Sequence, residues 1–164
     1  MQISQSNCLS NVTLVVPCVV ADLELITLLL SREHMDLFSQ IIIVFSGAEP
    51  GFEHFFESYS LPANKRLNIS LICVDNVLHP GQARNIGVDS VETDFVTFLD
   101  SRTIPTPSWF ESISTFVQSD HCDLQLGSVK YIPSSFLAEI FATSTFGFYP
   151  LQCLPGSILS VSTF

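Results

Sequence analysis

The sequence predicts a single α/β domain of 164 residues built on a central, mostly parallel sheet. Three observations lead there. Short β-branched runs alternate with stretches of helical spacing along most of the chain, the order expected of βαβ units. The strand runs are apolar throughout, the pattern of strands covered on both faces. Hydrophobic residues make up 47% of the chain and charged residues only 13%, a composition that builds a core and excludes a disordered chain.

The first strand is VTLVVP, Val12 to Pro17. DLELITLLLSREHM follows with helical spacing from Asp22, whose carboxylate suits an N-cap. IIIVFSG, Ile41 to Gly47, is a second strand ending at a Ser-Gly turn. EPGFEHFFESY predicts a short helix with Pro50 in its first turn. ISLICVD, Ile69 to Asp75, is the third strand. HPGQARNIGVDSV, His79 to Val91, opens at Pro-Gly and continues as a helix. DFVTFLD, Asp94 to Asp100, is the fourth strand, and TPSWFESISTFVQS, from Thr106, is a helix with Pro107 in its first turn. Trp109 and Phe110 at its head suit the core. Beyond it, CDLQLGSVKYI reads as a strand, PSSFLAEIFATSTF as a helix, and ILSVSTF as an apolar strand. A strand at that place predicts an exposed edge and a route to oligomers.

The charge balance is −10, with 16 acids against six bases. This excludes non-specific nucleic-acid binding, which needs Lys and Arg to neutralise phosphates. It still admits a small phosphate-bearing ligand if a few bases gather at one site. The cysteines, Cys8, Cys18, Cys73, Cys122 and Cys153, are odd in number and widely spaced, without a CxxC pair, which suits reduced thiols in a cytoplasmic protein. No basic patch precedes an apolar run at the N-terminus, and the stretch from Val12 to Leu30 is interrupted by Pro17, Asp22 and Glu24, which argues against a secretory signal or a membrane span. With so few charges, some apolar surface is expected to meet a partner, a membrane or a further part of a longer protein. Phe136, Phe141, Phe146 and Phe148 are either core or part of such a surface.

In open α/β sheets, ligands bind beyond the carboxyl ends of the strands, where the strand order changes direction. The candidate segments are therefore Pro17–Val20, Ser46–Glu49, Asp75–Arg84 and Asp100–Thr103. Two of the six bases, Arg84 and Arg102, fall in them. There is no P-loop, no GxGxxG and no nucleophile elbow. His34, His54, His79 and His121 are scattered and suggest no chemistry.

VTLVVP, IIIVFSG, HPGQARNIGVDSVETDFVTFLD and IPTPSWFESI, in that order, resemble the donor half of family 2 glycosyltransferases. The third segment is the most specific, with its Gly-x-Ala-Arg-Asn-x-Gly run, apolar strand and terminal Asp. The resemblance is good over Asn11 to Ser112 and weaker through LPGSILSVSTF. It implies the GT-A fold, a Rossmann-like nucleotide-diphospho-sugar sandwich. It also implies a UDP- or GDP-sugar donor and transfer of the sugar to an acceptor. By the same resemblance Pro17, Cys18 and Val19 lie beside the base, and Ser46, Asp75, Arg84 and Asn85 line the donor site. Asp100 stands as the first acid of the DxD motif, in contact with the ribose or with Mn²⁺ or Mg²⁺.

Three departures bear on mechanism. Arg102 replaces the second acid, and a guanidinium cannot ligate a cation; either metal binding is weakened or Arg102 itself meets the diphosphate. Phe45 and Ser46 stand where the family has an acidic pair. The family's catalytic base lies beyond the segment LPGSIL resembles, so no residue of this chain is assigned that role and the acceptor part is expected to be incomplete. Two functions follow: a sugar transferase, or a binding domain that keeps the fold without catalysis. For Arg84 a purely structural pairing with Asp75 or Asp89 stands beside the donor role.

Overall fold

The computed structural model describes residues 9–58, 67–119, 124–126 and 159–162. The elements run β1 (Val12–Val19), α1 (Leu23–Leu30), β2 (Gln40–Ser46), α2 (Phe52–Ser58), β3 (Ile69–Val74), α3 (Pro80–Val88), β4 (Phe95–Phe98), α4 (Pro107–Val117), β5 (Leu124–Leu126) and β6 (Leu159–Ser162). The helix read over PSSFLAEIFATSTF lies outside the described residues.

The sheet order is β3-β2-β1-β4-β6-β5. β1 to β4 are mutually parallel, while β6 runs antiparallel to both β4 and β5. The chain moves outward from β1 through β2 to β3, then returns to place β4 on the other side of β1. The strand order therefore reverses between β1 and β4, and the crevice beyond their carboxyl ends is the switch point. β6 separates this sheet from a purely parallel, doubly wound one. It also corrects an expectation: the last strand pairs on both sides, so the free edges of the described sheet are β3 and β5.

Each strand divides its side chains between two layers, because successive Cβ atoms point to opposite faces. Leu14, Val16, Ile41, Ile43 and Phe45 face a layer formed with Ile26, Leu29 and Leu30 of α1, Phe52 and Phe56 of α2, and Phe110 and Ile113 of α4. Val15, Ile42, Val44, Val96 and Phe98 face the opposite layer, closed by Ala83, Ile86 and Val88 of α3. This explains the unbroken apolar runs of β1 and β2. β3 is half-buried throughout, as an edge strand should be, so double-sided burial does not extend to it. Phe110 packs against Phe38 and Trp109, as the core assignment required. At the amino ends of the strands, the buried Thr13 donates its hydroxyl to Gln40 Oε1 at 3.2 Å, and Gln40 Nε2 donates to Ser70. That end of the sheet is closed by its own hydrogen bonds.

Two helix boundaries differ from the sequence pattern. α1 stops at Leu30; His34 takes a left-handed φ of 71° and leads into a 3-10 turn that buries Met35. Met35 belongs to the core, but a turn delivers it there. Pro50 precedes α2, because Gly51 has φ 88° and breaks any helix begun before it.

α3 lies close against the sheet at Gly87. A Cβ built there would overlap Val15 Cγ1 and come within 3.3 Å of Val44 Cγ2, whereas one at Gly81 meets nothing within 4 Å. Gly87→Ala should cost about 1–3 kcal/mol through overpacking and lower Tm by roughly 3–10 °C. Gly81→Ala should leave Tm unchanged or raise it. Thermal denaturation of the two variants side by side tests this pair of expectations.

Candidate functional site

A cavity of about 340 Å³ opens beyond the carboxyl ends of β1, β2 and β4, within the size range of small-molecule sites. β1 contributes Pro17, Cys18 and Val19, and β2 contributes Ser46. Leu78, Pro80 and Ala83 form one wall at the head of α3, and Asp100, Ser101, Arg102 and Thr103 form another after β4. Asp22 lies between them.

The backbone explains how β1 opens here. Val15 O accepts a hydrogen bond from Leu99 N. Pro17, two residues on, turns the same edge toward β4, but β4 has already ended. A proline there costs no ladder bond. Ser46 donates its hydroxyl to Cys18 O at 3.2 Å and ties the ends of β1 and β2 together. The Cys18 thiol donates to Val44 O at 3.5 Å. Burial, then the charge of Asp22 and the neighbouring Cys73, hold the Cys18 thiol well above its ordinary range.

Two ion pairs cross the switch point. Arg84 Nη2 donates to Asp100 Oδ1 at 2.6 Å. This pairs Arg84 with neither Asp75 nor Asp89, because α3 carries it over the end of β4. Arg84 Nε is buried without a hydrogen-bond partner among the described residues. In the second pair, Asp22 Oδ1 accepts Nε and Nη2 of Arg102 at 3.2 and 3.0 Å, and Asp22 Oδ2 accepts the Ser101 hydroxyl at 2.8 Å. Asp22 does stand at the N-cap position of α1, but its side chain makes no cap bond. Its carboxylate is committed instead to residues 79 and 80 positions further along.

The fold thus brings Pro17, Cys18, Val19, Ser46, Asp100 and Arg102 to one cavity, with Arg84 behind Asp100. Asp75 and Asn85 are exposed and do not line it. Asn85 follows Arg84 on α3 and is turned about 100° away around the helix. Leu78, Pro80, Ala83, Ser101 and Thr103 lay inside the strand-end segments without being singled out. Asp22 lay outside them; its position shortly after the end of β1 was the available signal.

A resident Mn²⁺ or Mg²⁺ would need several free donor groups at the cavity. Among the described residues no three His, Cys, Asp or Glu side chains gather to hold a metal ion. Each carboxylate lining the cavity already holds a guanidinium, whose positive charge opposes a cation. These residues do not fit a resident divalent cation.

A sequence profile for glycosyl transferase family 2 matches residues 15–154. No curated protein matches the chain. Among solved structures, Staphylococcus aureus TarS 1–349 superposes with a TM-score of 0.53 at 21% identity, over 76% of this chain and 39% of that one. The mannosyltransferase PcManGT from Pyrobaculum calidifontis, in complex with GDP-Man and Mn²⁺, gives 0.54 at 14% identity, over 93% and 44%. Glucosyl-3-phosphoglycerate synthase from Mycobacterium tuberculosis, in complex with phosphoglyceric acid, gives 0.55 at 16%, over 93% and 56%. The likeness is one of fold, the GT-A fold, and this chain spans well under two thirds of each of these proteins. No helix among the described residues is long and apolar enough to cross a membrane.

Cys18 should resist alkylation. Iodoacetamide at pH 8 should leave its peptide unmodified in the folded chain and label it after unfolding, as read by mass spectrometry, since the thiolate is the reactive form. The folded chain keeps a proton that the unfolded chain loses above about pH 9. Stability from this group is complete below pH 9 and falls as pH rises beyond it, which urea midpoints at pH 8 and pH 10 would register.

Proposed function

The chain belongs to glycosyl transferase family 2, and we propose that its strand-end cavity takes up a UDP- or GDP-linked sugar for transfer to an acceptor. The observation that carries this is Arg102. It stands at the cavity, anchored through one edge by Asp22, with its side chain 73% exposed. A nucleotide diphosphate needs positive charge at its phosphates, and an arginine fork matches phosphate oxygens in geometry and charge. The related mannosyltransferase carries GDP-Man together with Mn²⁺. In this chain Arg102 does the neutralising.

The other residues follow from that placement. Pro17, Cys18 and Val19 form the floor against which the nucleoside lies, and Ser46, held to Cys18 O, fixes the edge of that floor. Asp100 has one oxygen on Arg84; its second oxygen accepts a ribose hydroxyl. As the bond to the sugar breaks, the leaving diphosphate gains charge, and the Arg102 guanidinium stabilises it. The free thiols Cys18 and Cys73 suit a reducing compartment, and we assign the chain to the cytoplasm.

A second reading has its own observation. Both carboxylates lining the cavity are bound to arginines, so neither stands ready to take the acceptor's proton. On this reading the chain binds the donor without transferring the sugar. Release of free UDP or GDP from a nucleotide-sugar over time separates transfer from binding.

Calorimetric titration with UDP and GDP in EDTA should show binding, and adding Mn²⁺ should not strengthen it. Arg102→Ala should weaken it roughly 10- to 100-fold, the loss of charge-assisted hydrogen bonds worth about 1.5–3 kcal/mol. Binding that requires Mn²⁺ would return the site to a metal. No binding of either nucleotide by the wild type would end the donor reading.

A further inference from the structure

Asp22 has a role that its place at the head of α1 does not explain. Its side chain is only 7% exposed, and both its oxygens are committed. Oδ2 takes the Ser101 hydroxyl, and Oδ1 takes Nε and Nη2 of Arg102. A guanidinium presents two forks, one along the Nε/Nη2 edge and one at the Nη1/Nη2 tip. Asp22 occupies the first, so the tip fork faces away from it. The side chain carrying that fork is 73% exposed and shares the cavity wall with Asp100, Ser101 and Thr103.

We propose that Asp22 is the positioning residue for Arg102: it grips one edge of the guanidinium so that the tip fork is presented, already oriented, to two phosphate oxygens. The inference rests on the reading that Arg102 meets the diphosphate. The physical reasons are two. A carboxylate this buried is costly unless paired, so it holds its partner firmly. An arginine fixed before the ligand arrives does not give up its rotamer freedom on binding, which is a direct gain in affinity. Ser101, bonded to the other oxygen of Asp22, keeps the carboxylate turned toward Arg102. Lysine could not replace the arginine, since an ammonium is a point charge without two separate edges.

The test is a double-mutant cycle read by calorimetric titration of UDP and of GDP in EDTA. Asp22→Asn keeps the shape of the side chain and removes its charge. It should lower affinity roughly tenfold, close to the effect of Arg102→Ala. In the Arg102→Ala background it should have no further effect. Full effect in both backgrounds would mean that Asp22 only supports the fold, and would overturn the inference. So would wild-type affinity in Asp22→Asn. Because Asp22 is buried, Arg102→Lys provides a second arm at an exposed side chain: it should bind as weakly as Arg102→Ala, and wild-type affinity there would overturn the two-edge assignment. Wild-type affinity in Arg102→Ala itself would instead show that the diphosphate reading is wrong, and this inference would fall with it.

Discussion

At Gly87 helix α3 carries no side chain, and the space a Cβ would need is filled by Val15 and Val44. The helix can therefore lie flat on β1 and β2, with Ala83 buried one turn earlier. That closeness sets the height of everything at the head of α3. Arg84, next to Ala83, reaches across the end of β4 to Asp100 at 2.6 Å. Leu78, Pro80 and Ala83 come near enough to wall the cavity. A helix standing off by the depth of one methyl group would loosen both. Packing on one face of the sheet thus fixes the geometry of polar groups at its end.

The electrostatics of the cavity differ from those of the chain. The molecule carries a formal charge of −10, which by itself repels an anionic ligand at long range. At physiological salt that repulsion fades over about 8 Å. At the cavity the balance is local: Asp22 and Asp100 line it with Arg102, and Arg84 pairs with Asp100 from behind. Two of only six basic residues in the chain are thus spent on the carboxylates of this cavity. The pairs are unequal in burial. Asp22 is buried while Arg102 is largely exposed, so the positive end of that pair is the one turned toward solvent.

Much of the fold was legible because its signals are local. The apolar runs of β1 and β2, the prolines that open α3 and α4, and the Gly-Gln-Ala-Arg-Asn stretch each act over a few residues. The α/β architecture and the position of the cavity at strand ends follow from them. What was not legible depends on distance along the chain. Asp22 reads as a helix cap from its neighbours, yet its carboxylate is taken by Ser101 and Arg102, partners that no local pattern shows. Arg84 has acids nearer in sequence than Asp100, but α3 determines which it reaches. The end of α1 departs from its sequence pattern for the same reason: Met35 keeps its apolar role while His34 turns the backbone out of the helix. The place of β6 between β4 and β5 belongs to the same class, since strand order is set by the whole sheet.

The register of the central strand also shapes how the chain is made. Val12 of β1 pairs with Phe95 of β4, and Thr13 pairs with Gln40 of β2. During synthesis β1 can join β2 early, but its other edge stays open until residue 95 has left the ribosome. At ordinary translation rates that wait is roughly 4–17 s. Once β2 is made, a parallel pair of apolar strands has one edge of β1 unpaired, and until α3 follows nothing covers Val15. The newborn chain is thus most open to wrong strand pairing before the fourth strand arrives.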